Sequence, residues 1–187
     1  VANGKLLRSG LFDDIWIQPA AGDAGGAVGC ALFTWYQYLE NQRKADDKSD
    51  FMQGAYLGPE FQNGSIESFL KKNDYSYQTL NDEELPEKIA NLIADEKVIG
   101  WFQGRMEFGP RALGSRTIIG DARSSEMQKT MNLKIKYRES FRPFAPSIRA
   151  ENISDYFEID RESPYMLLVA NVQKEKQVAM SEQQNSY

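Results

Sequence analysis

The 187-residue chain contains no histidine and a single cysteine. The first absence excludes Ser-His-Asp and Cys-His nucleophile arrangements, and any histidine-bearing metal site, made by this chain alone. The second excludes a disulfide within the chain; Cys30, between Gly29 and Ala31 in an apolar run, reads as a buried free thiol. No apolar run approaches the ~20 residues that a membrane span needs. No basic start, apolar core and small-residue cleavage site marks a signal peptide, so the cytoplasm is the expected location and no membrane partner is expected. A broad basic surface is missing too. With a net charge of −5 and a pI near 4.9, the chain does not fit proteins that coat nucleic acid through general electrostatics, and a small anionic ligand fits better.

What is present is one basic segment in an acidic chain. Residues 101–149 hold seven Arg and three Lys against four acidic residues, a local balance of +6, whereas the remainder sits at −11. Such segregation points to an anion site. Its arginines stand among glycine and proline in GRMEFGPRALGSR, which Gly109-Pro110 prevents from being one continuous helix. Because Glu107, Asp121, Glu126 and Glu139 are interleaved, the plainer alternative is that the charges pair among themselves on a solvated face. Two features favour the anion site: the arginines lie in loops rather than at Glu-to-Lys helical spacing, and Trp101, Phe108, Leu113, Phe141 and Phe144 are expected to pack around them. A half-buried arginine with too few carboxylates requires an external anion.

Along the chain, Ile15-Trp16-Ile17 reads as a short strand ended by the turn Pro19–Gly22. The opening has no start methionine and is expected to be the end of a longer domain. A glycine-rich turn with Gly22, Gly25, Gly26 and Gly29 leads into a helix carrying Val28, Leu32, Trp35, Tyr36 and Leu39 at helical spacing. Glycines at a helix start admit a ligand to free N–H groups or serve tight packing; without a following Lys-Ser/Thr they form no P-loop. The charged stretch 41–49 is the expected linker. Helices are expected over 65–72 and 82–96, the second opened by a capping box of Asn81 and Glu84. Val98–Phe102 reads as a buried strand and Thr117–Ile119 as another. A second capping box, Ser125 with Gln128, is expected to open a helix to Lys136 with Met127, Met131 and Ile135 facing the core and Asn132 turned away from it. Phe144–Ile148 and Met166–Ala170 are expected strands, Asp155–Phe157 a short helix, and 173–187 a polar, unanchored tail. A helix feeding straight into an apolar strand implies an α/β (α+β mixed) layer arrangement.

At GRMEFGPRALGSRTIIGDAR and MNLKIKYRESFRPFAPS the chain closely resembles the O-carbamoyltransferases of the nodulation-protein-U type, which also carbamoylate cephem and aminoglycoside antibiotics. The likeness extends to VANGKLL and WIQPAAGDAGGAVGCAL at the front. It implies a remnant of an actin/Hsp70-like domain at 1–45, followed over 50–187 by an incomplete YrdC-like domain, a twisted open mixed sheet with flanking helices. It implies that ATP and carbamoyl phosphate, the donor, react to a carbamoyl adenylate whose carbamoyl group passes to a hydroxyl acceptor, a sugar or antibiotic-like small molecule. Carried over by motif, Arg111, Lys136 and Arg142 match the phosphate ligands, with catalytic roles. Arg105 and Arg138 are second-rank ligands, each with an ion pair, to Glu107 or Glu139, as the open alternative. Gly25 and Gly26 match the stretch that approaches the nucleotide. Asp23 matches an aspartate that holds a divalent metal, iron or magnesium, together with two histidines; since this chain has none, Asp23 is expected to be a ligand only in the full-length protein.

The resemblance also marks departures. Most of the family's N-terminal domain and its later TSFN-like segment are not in this sequence, and Ser115 stands where the family often has asparagine. The chain is therefore expected to bind anions or nucleotide weakly and not to complete carbamoyl transfer. A non-catalytic anion- or RNA-binding YrdC-like module is the alternative from another class. Net acidity and the lack of interleaved aromatic residues for base stacking disfavour it. A sugar-kinase-like fragment would leave the arginine segment unexplained.

Overall fold

A computed structural model describes residues 1–44, 46 and 50–178. Contacts divide the chain into two compact units, Gln18–Phe144 and a smaller one of Val1–Ile17 with Ala145–Tyr187. The expected linker is described only in part: 41–44 and Asp46 carry no helix or strand, and 45 and 47–49 lie outside the described residues.

In the larger unit, helix α2 (Asp23–Phe33) continues into a π turn, Thr34–Tyr38, and α3 (Asn63–Lys72) and α4 (Glu84–Ala94) follow. The start of α4 is the one its sequence encodes. Asn81 Oδ1 accepts from the Glu84 N–H at 2.8 Å, and Glu84 Oε2 reaches the Asn81 N–H at 3.5 Å. Both helices end in a 6→1, 5→2 hydrogen-bond pair whose left-handed residue is not glycine. Asp74 (φ 55°) closes α3 with Tyr75 N–H on Leu70 O at 3.0 Å, and Glu96 (φ 59°) closes α4 with Lys97 N–H on Leu92 O at 2.9 Å.

Strands β1 (Ile99–Phe102) and β2 (Arg116–Ile119) then pair antiparallel, Ile99 opposite Ile119 and Phe102 opposite Arg116. The mixed helix and strand class is as expected, but among the described residues the sheet is this two-stranded one. β1 alternates between half-buried and exposed, not buried on both faces, because a single neighbour covers it. A short helix α5 (Met127–Thr130) passes into a second π turn, Met131–Ile135. Its expected capping box is not made: Gln128 Nε2 donates instead to the carbonyls of Phe141 and Arg142, at 3.2 and 3.1 Å. The buried apolar side chains of this unit include Met52, Ala55, Met127 and Met131, with Pro19 also buried. Gly120, next after β2, meets the two methionines so closely that a Cβ there would lie 2.7 Å from both Met127 Cγ and Met131 Sδ. The segment before α3 is laced to the β1–β2 connection by Gly58 N–H on Met106 O (2.9 Å), Met106 N–H on Pro59 O (2.9 Å) and Phe108 N–H on Ala55 O (2.5 Å).

In the smaller unit, α1 (Ala2–Arg8) holds the 166–170 segment, where a strand was expected. Met166 has φ 55°, which breaks an extended run. Side chains take the carbonyls a neighbouring strand would use: Asn3 Nδ2 donates to Leu167 O at 2.9 Å and Arg8 Nη1 to Val169 O at 3.0 Å. Helix α6 (Ile153–Tyr156) lies where a short helix was expected, followed by a single antiparallel bridge, Phe157 to Val172. Nor are 15–17 or 144–148 strands; Trp16 is exposed with no neighbouring strand to pair, and Pro143 and Pro146 lack donors. The polar tail is anchored at its start, since Gln173 Nε2 donates to the carbonyls of Ser154 (2.9 Å) and Phe157 (3.2 Å) and Lys174–Lys176 form a 3-10 turn; 179–187 lie outside the described residues.

Candidate functional site

The connection from β1 to β2 carries GRMEFGPRALGS, and it is folded around a carboxylate. Glu107 is 2% exposed, and its Oε1 accepts the backbone N–H groups of Leu113 (2.7 Å), Ser115 (2.8 Å) and Arg116 (3.4 Å). Burial pushes the Glu107 carboxyl pKa up. The hydrogen bonds from the Leu113, Glu107, Ser115 and Arg116 backbone outweigh it, so the group ends below the ordinary carboxylate range. Its Oε2 faces Arg116 Nε at 3.6 Å without a hydrogen bond, and Arg116 Nη2 donates to Gly109 O at 2.5 Å. Tyr56 closes the loop from outside, its hydroxyl donating to Leu113 O at 3.1 Å. Arg116 is thereby spent inside the loop, whereas Arg111 is exposed and has no hydrogen-bond or ion-pair partner among the described residues.

This loop meets the glycine-rich turn before α2. Gly109 has φ 100°, and a Cβ on it would fall 2.5 Å from the Ala20 Cβ, a contact only glycine allows. Ala20 (φ 51°) in turn accepts the Gly25 N–H at 2.7 Å, and a Cβ on Gly25 would lie 2.5 Å from that carbonyl oxygen. Gly25 therefore has a packing role and its N–H is occupied. Gly26 faces open space, its N–H donating to Gly22 O at 2.9 Å in the helical pattern. Asp23 is exposed in the first turn of α2, where the helix dipole favours a carboxylate.

The second cluster is built on an amide. Asn132, expected to turn away from the core, is 0% exposed, while Ile135, expected in it, is 44% exposed. The π register is the reason: one added residue per turn carries 132 inward and 135 out. Asn132 Nδ2 donates to Ser140 O (3.0 Å) and Arg142 O (2.8 Å), and its Oδ1 accepts from Arg138 Nε at 2.6 Å. The Arg138 guanidinium also lies over the Phe144 ring, 4.9 Å from its centroid. Glu139 pairs with Arg142 at 3.0 Å, both about half exposed; Arg142 and, more weakly, Arg138 help to hold its pKa down, after the Glu139 backbone hydrogen bond. Lys136, just past the π turn, is exposed and has no partner among the described residues.

Of the remaining cations, the arginines Arg105, Arg123 and Arg149 are paired, whereas Lys129 and Lys134 are exposed with no partner among the described residues. Arg105 donates to Gly58 O at 2.8 Å and faces Glu60, not Glu107, at 3.6 Å. Arg123 forms a two-pronged pair with Asp121, at 2.9 Å and 2.7 Å, and that pair holds the Asp121 pKa at about 2. Phe141, expected to pack, is exposed. Cys30 is exposed as well, on a helix that buries no residue against the described part of the chain. Sequence reasoning marks Arg111 and Lys136 and misses Glu107 and Asn132, the two groups around which the loop and the segment after the π turn are folded. Glu107 could have been read from its place beside a loop of small residues rich in free N–H groups; Asn132 carries no such signal.

The GPRALG loop with the basic segment after it, and the glycine turn seated on that loop, fall in two stretches that match known proteins. Residues 90–184 match the family described as carbamoyltransferase C-terminus, and residues 1–32 match carbamoyltransferase N-terminus. The chain belongs to the carbamoyltransferase family. It is 41% identical over 179 residues to nodulation protein NolO of Bradyrhizobium diazoefficiens, covering 93% of this chain and 32% of that protein. An uncharacterised protein of Synechocystis sp. is 59% identical over 186 residues (98% of this chain, 30% of the relative), and nodulation protein U of Sinorhizobium fredii is 32% identical over 168 (88% and 26%). The chain thus spans about 30% of the length of the curated relatives it matches. No helix among the described residues is long and apolar enough to cross a membrane.

Proposed function

We propose that this chain carries the carbamoyl-phosphate and ATP phosphate site of a cytoplasmic, ATP-dependent O-carbamoyltransferase that acts through a carbamoyl adenylate on a hydroxylated small molecule. In this reading 1–45 closes an actin-like domain and 50–187 belongs to a YrdC-like one. The observation that carries it is the state of Arg111 and Lys136: two exposed cations with no partner among the described residues, in a segment whose other arginines are taken up by protein groups. An arginine fork suits two phosphate oxygens, and a lysine adds a point charge that follows the third. Arg111 would hold the ligand from a loop whose shape Glu107 has already set, so that little ordering is left to binding. The Arg142–Glu139 pair is exposed and worth roughly 0–1 kcal/mol, which leaves Arg142 available to a phosphate. ATP would supply the adenylyl group that activates the carbamoyl group, with pyrophosphate leaving; the protein's part is to orient these phosphates and neutralise their charge.

The implied divalent metal does not fit this chain alone. Among the described residues no three His, Cys, Asp or Glu side chains come together to hold an ion, and no step is routed through one.

Calorimetric titration with ATP and with carbamoyl phosphate tests the reading. Loss of one charge-assisted contact, about 1.5–3 kcal/mol, should weaken binding roughly tenfold or more in Arg111→Ala and Lys136→Ala. Arg123→Ala, whose guanidinium is paired with Asp121, should leave affinity unchanged. Equal affinities across all three variants would refute the site.

A further inference from the structure

We propose that Asn132 is a positioning residue that aims the guanidinium of Arg138 at a phosphate or carboxyphosphate oxygen of the bound ligand; this rests on the phosphate-site reading above. Arg138 is the one arginine of the basic segment that is held firmly and yet not neutralised. Its backbone N–H donates to Asn132 O at 3.0 Å and its Nε to Asn132 Oδ1 at 2.6 Å, so a single residue fixes both ends of the side chain. Phe144 supports the guanidinium plane from one face. The neighbouring carboxylate, Glu139, is engaged by Arg142 at 3.0 Å. Nη1 and Nη2 have no hydrogen-bonded acceptor among the described residues, and they form the edge of the fork suited to two anionic oxygens.

The choice of an amide at 132 has a chemical reason. A carboxylate there would also accept from Nε, but it would cancel the charge it positions; a carboxamide orients the arginine and leaves its full charge for the ligand. Asn132 has no capacity to spare. Both Nδ2 protons are given to Ser140 and Arg142 carbonyls, and the residue is 0% exposed, so its rotamer is fixed by the segment it closes. Rotamer freedom that Arg138 would lose on binding is lost in folding instead.

The test uses the full chain with ATP and carbamoyl phosphate as probes. Arg138→Ala should weaken binding about tenfold, Asn132→Ala nearly as much, and the double variant no more than Arg138→Ala alone; multiplied losses would show that Asn132 acts only on the fold. In case Asn132→Ala does not fold, the wild-type chain carries a second readout. The Arg138 Nε–H resonance, assigned by its loss in Arg138→Lys, should exchange slowly and shift when ATP is added. A fast-exchanging signal, or one that ATP leaves in place while Arg111→Ala still weakens binding, overturns the role of Asn132 and leaves the phosphate site standing. If the wild-type chain binds neither probe, the phosphate-site reading fails and the proposal fails with it.

Discussion

At Glu107 and Asn132, a carboxylate and a carboxamide are buried where hydrophobic periodicity does not place them: it turns Asn132 away from the core, and Glu107 stands in a loop without periodicity. The sequence marks Arg111, Lys136 and Arg142 because charge in a glycine- and proline-rich stretch is visible to counting. It does not mark their organisers, because whether a polar side chain is buried depends on which backbone N–H and C=O groups it finds, and those come from loop conformation. Glu107 can be tested directly. Glu107→Ala orphans the N–H groups of Leu113 and Ser115 and should cost on the order of 1–3 kcal/mol, measured by urea unfolding. Because the folded pKa lies below the ordinary value, the contribution of the ionised form is fully present above the unfolded carboxylate pKa. It is lost as pH falls through the lowered folded value. Wild type and Glu107→Gln should therefore differ most near neutral pH and converge in acid; a constant gap at all pH values would show that the charge of Glu107 contributes nothing.

Among the elements, helices were legible and strands mostly were not. Helices α3 and α4 announce themselves by periodicity and, in α4, by a capping pair, since their signals are local. A strand is completed by a partner elsewhere in the chain, and 15–17, 144–148 and 166–170 lack one among the described residues. The end of α3 at Lys72 was legible, whereas α4 stops at Ala94, short of the expected 96; Asp74 and Glu96, not glycine, take the left-handed positions there. The reverse holds in α2, whose three glycines look alike and of which only Gly25 is constrained by contact. Gly25→Ala should destabilise the chain, because its Cβ would lie 2.5 Å from the Ala20 carbonyl oxygen. Gly26→Ala opens onto free space and should add up to ~1 kcal/mol of helix stability. Thermal unfolding separates the two: equal shifts of the same sign would mean that the seat of α2 on Ala20 is unimportant.

For the molecule as a whole, charge is segregated by sequence, with +6 in 101–149 and −11 elsewhere. Half of those ten cations face a carboxylate in place, so what remains to attract an anion is local, short-ranged and surrounded by acidic chain. ATP affinity should fall as salt rises from 50 to 500 mM, while single-stranded RNA should not bind at 150 mM salt; RNA binding with a steep salt dependence and no competition by ATP would instead favour a nucleic-acid module. The family was legible because its motifs are long and nearly gapless, whereas Cys30 was misread because an apolar run implies a neighbour that covers it. That exposed thiol, the only one in the chain, gives the protein a native attachment point. A maleimide dye will couple at one defined position on α2, five residues beyond Gly25, so fluorescence from the unaltered sequence can follow whether that helix stays seated while ligands come and go.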